Sequence, residues 1–141
     1  MFKTLSLAAL AATLIASPAL AGDVNVSLTG VQAGRGVILA ALQTQAQFMQ
    51  QGGAYGERIA DAPAGTVNIT FRDVTPGEYS LSVLQDSDGD RDMTMSGGMP
   101  AEGWAMVNGD TLRGPPTFDQ VKFTVPASGD VNLTVAIQYP R

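Results

Sequence analysis

Apolar and polar residues alternate along most of the chain beyond residue 22. Val24, Val26 and Leu28 alternate with Asn25, Ser27 and Thr29, and Val67, Ile69 and Phe71 with Thr66, Asn68 and Thr70. Successive side chains of a strand point to opposite faces, so each run predicts one packed and one solvated face. Tyr79, Leu81 and Val83 repeat the pattern after Asp73-Val74-Thr75-Pro76-Gly77-Glu78, where Pro and Gly suit a chain reversal. Val121, Phe123 and Val125 form a further run, and Val131, Leu133, Val135 and Ile137 the last. Phe71, Leu81, Val83, Phe123, Leu133 and Val135 are expected to face inward. The run from Gly36 to Leu42 is apolar on both parities, which predicts a strand in the middle of a sheet.

Two long segments, Thr44 to Ala64 and Ser87 to Asp119, break this rhythm and read as irregular, with one or two helical turns expected between Thr44 and Gln51. Loops of this length inside a compact domain are usually functional or held by their own contacts. Six or seven short strands with little helix predict an all-β fold, a single Greek-key β-sandwich of the immunoglobulin-like kind.

The start of the chain has a different character. Lys3, the apolar stretch Leu5 to Ile15 and the exit Ala19-Leu20-Ala21 fit a secretory signal peptide over residues 1–21, leaving residues 22–141 as the sandwich domain. The apolar part falls short of the roughly 20 residues that cross a bilayer, so no membrane span is expected. The expected address is periplasmic or secreted. With no cysteine, neither disulfides nor a lipidated cysteine is available.

Charge narrows the partners. Beyond Gly22 the basic residues are Arg35, Arg58, Arg72, Arg91, Arg113, Lys122 and Arg141, against 13 acidic ones. Nucleic acid and anionic membrane surfaces both favour a basic face, so neither is an expected partner. An envelope protein or a small ligand is expected instead.

The densest chemistry is Asp86-Ser87-Asp88-Gly89-Asp90-Arg91-Asp92, in which Asp86, Asp88, Asp90 and Asp92 recur on alternate residues behind an apolar strand. These four are the candidate metal ligands, with calcium the expected ion, because hard divalent cations take six to eight oxygens. Counting from Asp86, positions six and twelve are Arg91 and Gly97 rather than the Gly and Glu of an EF-hand. A different loop would complete its shell with water or a distant carboxylate, Glu102 or Asp110, at an affinity of about 0.1 to 1 mM. The competing reading is an acidic turn whose carboxylates accept nearby amides.

Around the single tryptophan, Gly97-Gly98-Met99-Pro100 and Gly114-Pro115-Pro116 suggest a loop folded over one edge of the sandwich. Trp104 with Phe118 and Tyr55 either lines a ligand groove, or Trp104 and Phe118 close a minor core. The chain has no histidine, so Ser-His-Asp and Cys-His catalysis and His or Cys zinc sites have no residues to use. No catalytic residues are assigned and no enzyme is expected.

Four segments in order, Phe71 to Tyr79, Leu84 to Asp90, Gly98 to Trp104 and Gly114 to Asp119, resemble the exported bacterial domain-of-unknown-function family 2141. The resemblance implies a small transthyretin-like or prealbumin-like sandwich with no established activity. Where that pattern often has histidine this chain has Gln85, and its loop is richer in Asp and poorer in Asn and Gly, which favours oxygen-only cation binding. The expected role is an exported, non-catalytic module that binds a ligand, a cation or an envelope protein through its long loops. The alternative is an assembly-type envelope protein whose acidic loop is stiffened by calcium.

Overall fold

A computed structural model describes residues 21–141. The expected signal peptide, all but Ala21, lies outside the described residues. Ten strands form two facing sheets and one small hairpin. In the three-stranded sheet, β1 (Gly22–Val31) lies between β4 (Gly65–Val74), antiparallel to it, and β10 (Val131–Ala136), parallel to it. The second sheet runs β3 (Tyr55–Ile59), β2 (Val37–Gln43), β5 (Gly77–Asp86), β8 (Gly103–Ala105), and β9 (Lys122–Val125) pairs with the other end of β5.

Alternation sets which face is packed. Val24, Val26 and Leu28 of β1 and Val67, Ile69 and Phe71 of β4 meet Ile38, Ala40 and Leu42 of β2 and Leu81 and Val83 of β5 in one core. All of these are buried, as is Val135. Phe123 and Leu133 are only half-buried at its margin, because β9 and β10 lie at the sheet edges. The all-β sandwich is as the pattern indicates, with more strands than the seven expected.

Three differences have physical causes. Tyr55-Gly56-Glu57-Arg58-Ile59 pairs with β2 as an edge strand, although its exposed Glu57 and Arg58 hide any apolar run. The segment around Val121 begins as a single helical turn, α1 (Phe118–Val121), whose start is capped reciprocally by Thr117 and Gln120, and only then becomes β9. Between Thr44 and Gln51 the chain makes a helical turn as expected, of the 3₁₀ kind over Gln45–Gln47, with the same kind of Thr44 and Gln47 cap. The second long segment is partly regular: β6 (Met95–Ser96) and β7 (Met99–Pro100) close a hairpin through Gly97 and Gly98, both at positive φ.

Two devices hold the long segments against the sheet. The buried Gln43 amide donates to the Gln50 and Gly52 carbonyls, both at 2.7 Å, tying the first segment to the end of β2. At the opposite end of β2, Gly36 has φ of 104°, and a Cβ there would stand 2.0 Å from the Asp86 carbonyl. Only glycine permits this approach, which seats the start of the acidic loop.

Candidate functional site: an acidic loop beside a methionine-lined groove

Asp86 is the last residue of β5 and is buried, at 5% exposure. Its carboxylate turns back into the loop, accepting the Gly89 amide on Oδ1 and the Arg91 amide on Oδ2, each at 2.9 Å. Glu102, just before β8, is equally enclosed at 4% exposure. Its Oε1 accepts the Ser87 amide at 2.9 Å and hydroxyl at 3.1 Å, and its Oε2 accepts the Thr94 amide at 3.1 Å. These carboxylates clamp the loop, and among the described residues no ion pair includes either. Asp88 and Asp90 lie on the exposed side, where Asp88 accepts the Thr94 hydroxyl at 2.9 Å and the Asp90 amide at 3.2 Å.

One oxygen from each of Asp86, Asp88, Asp90 and Glu102 lies within 4.8 Å of the others. Carboxylate oxygens gathered this closely could hold a metal ion. Three of the four sequence candidates meet there, joined by Glu102. Asp92 stands outside the group, its Oδ1 accepting the adjacent Met93 amide at 3.2 Å. Asp110 is also outside it, exposed in a second 3₁₀ turn, Gly109–Thr111.

The crowding of like charges is visible in protonation. Asp88 is held below the usual carboxylate range, chiefly by the Asp90 amide and then by the Thr94 hydroxyl. Asp90 moves the other way. The Asp92 amide pulls it down, but its contact with the Asp88 carboxylate, partial desolvation and the charges of Asp88 and Asp86 together outweigh that amide and raise it.

Beyond this loop, the outward face of β2 is also apolar, and Leu84 of β5 extends it. Leu39 and Ala41 point away from the core and with Leu84 and Trp104 floor a groove of about 880 Å³. This explains why Gly36 to Leu42 is apolar on both parities: one face packs the core and the other floors the groove. The walls come from the two long segments. Of the six methionines Met1 lies outside the described residues, and the other five, Met49, Met93, Met95, Met99 and Met106, all line the groove. Met49, Met95 and Met99 are 61%, 55% and 68% exposed, unusual for large apolar side chains. Met93 and Met95 alternate around Thr94, but no pattern links them to Met49, Met99 or Met106, so only the fold assembles the five.

Of the three aromatic residues considered for a groove, Trp104 alone lines it. Phe118 is buried edge-on against Phe48, ring centres 5.7 Å apart, and Tyr55 bonds Thr75 through its hydroxyl and packs on Tyr79.

Residues 26–134, most of the chain, match a family described as "Uncharacterized protein conserved in bacteria (DUF2141)". The chain belongs to this DUF2141 family. No curated protein and no solved structure matches it. Gln85, directly before Asp86 in β5, lines a small cavity together with Glu102. It is buried, its amide donates to the Gln32 carbonyl at 3.0 Å and its oxygen accepts the Tyr139 hydroxyl, so it ties the β1–β2 connection and the C-terminal segment to β5. Among the described residues no helix is long and apolar enough to cross a membrane.

Proposed function

We propose that this chain is an exported, non-catalytic binding module that takes an apolar ligand on the outer face of its five-stranded sheet, between the two long loops. The groove carries the reading. Its volume falls in the range of small-molecule sites, and its lining is apolar with few charges. Thioether side chains are flexible and polarisable, and they recur on surfaces that adapt to apolar partners. A calcium ion bound by Asp86, Asp88, Asp90 and Glu102 would brace the loop that supplies Arg91 to Met99, so the acidic site supports the groove rather than performing chemistry.

The assembly-type alternative rests on the same carboxylates, with calcium stiffening the fold and the groove covered by another envelope protein. Trp104, the single tryptophan, reports on the difference. Titration with decanol should shift its emission to the blue and saturate. Emission unmoved by decanol, with a melting temperature that rises in calcium, would favour the assembly reading. Export is tested by intact mass, which should correspond to a chain starting at Gly22.

A further inference from the structure

Three charged side chains line the apolar groove: Arg91, Asp92 and Arg113. Among the described residues neither arginine joins an ion pair. Among the described residues the Arg113 guanidinium donates only to the carbonyl of its neighbour Leu112, at 3.2 Å, and both arginines are exposed. Asp92 already accepts the Met93 amide. The groove therefore carries an excess positive charge of one, on a chain whose net charge is −5. Exposed and outside any ion pair among the described residues, these guanidinium groups can offer a planar fork of N–H donors that matches a carboxylate.

Resting on the groove reading above, we propose that the ligand is a free fatty acid: one acyl chain lies on Leu39, Leu84 and Trp104 among the methionine side chains, and its carboxylate meets Arg91 and Arg113. The negative charge of the whole chain opposes docking on an anionic bilayer, so the ligand is taken as a single molecule from solution. The thioether walls let the groove accept saturated chains of differing length.

The test compares decanoate, decanol and decyltrimethylammonium, each below its micelle concentration at pH 8, by Trp104 emission and calorimetry on the exported chain. Decanoate should bind at least tenfold more tightly than decanol, and the cationic amphiphile most weakly. Arg91→Gln with Arg113→Gln should bring the decanoate and decanol affinities to within about twofold of each other, with the melting temperature unchanged because both side chains are exposed. Asp92→Asn should tighten decanoate a few-fold. Equal affinity for decanoate and decanol, or a double variant that keeps the preference, would overturn carboxylate recognition and leave the groove reading standing. No binding of any of the three would overturn both. Binding to phosphatidylglycerol vesicles but not to monomeric decanoate would overturn the free-molecule assignment.

Discussion

The two faces of β2 are both apolar, the outer one extended by Leu84 of β5, and they end up in different states. On the inner face Ile38, Leu42, Leu81 and Val83 are buried against the other sheet. On the outer face Leu39, Ala41 and Leu84 are only half-buried, under loops whose methionines stay exposed. Apolar composition alone does not distinguish them. What differs is the cover: a second sheet closes one face to core density, while loops anchored at Gln43, Asp86 and Glu102 leave the other open. An apolar face left open by anchored loops is the mark of a binding surface rather than of a core.

The largest effect that separates the faces is on stability. Leu81→Ala removes a fully buried side chain and should cost about 2 to 5 kcal/mol in chemical denaturation. Leu84→Ala, three residues on but facing outward, should cost about 1 kcal/mol or less, with its main effect on ligand affinity. Equal losses at the two positions would erase the distinction between them.

The loop anchors come next in size. Glu102→Ala leaves the Ser87 and Thr94 amides without their acceptor in a partly buried place, at a cost of about 1 to 2 kcal/mol. It should also weaken decanol binding, because the same loop walls the groove. Decanol affinity unchanged in a destabilised Glu102→Ala protein would show that the loop and groove are independent.

Leu133→Ala tests the margin of the core. With Leu133 half-buried on an edge strand, its loss should fall below that of Leu81→Ala and above that of the exposed Thr134→Ala.

The smallest effects concern the exposed carboxylates. Because Asp90 is raised in the folded state, folding favours its protonated form, so its contribution to stability is present below the unfolded value of 3.8 and is lost as pH rises through the folded one. At pH 7 Asp90→Asn should therefore raise the apo melting temperature slightly. Asp88 is the opposite case: its contribution is present above 3.8 and fades as pH falls through the lowered value. Calcium at millimolar concentration should raise the wild-type melting temperature by the linkage of binding to folding, and Asp88→Asn with Asp90→Asn should abolish the rise. A response in calcium that survives the double substitution would move the ion away from this loop.

How much of this could be read from the chain follows from which interactions are local. Strands β1 and β4 show as alternation because each meets a core on one side and a polar, more open face on the other, and β5 because its outward Ser80 and Ser82 are polar although loops cover them. The central place of β2 shows in its double apolar parity. Strand β3 does not show, since an edge strand carrying Glu57 and Arg58 has no buried stripe to display. Asp86, Asp88 and Asp90 are legible because one turn presents them, and Glu102 could be named as a carboxylate near enough to complete them. The methionine groove is illegible by nature: Met49 and Met106 are far apart in sequence and come to one groove only through the fold. The one available sign was that second apolar parity in Gly36 to Leu42, which has no use inside a single core.

The most direct measurement of the groove follows the methyl carbons of the methionines by NMR, with isotope placed only there. On titration with decanoate the signals of Met49, Met93, Met95, Met99 and Met106 should shift together along a single saturation curve, because all five line one site. Five signals that stay in place at saturating ligand, or that move with unrelated affinities, would contradict a single groove on the outer face of β2 and β5.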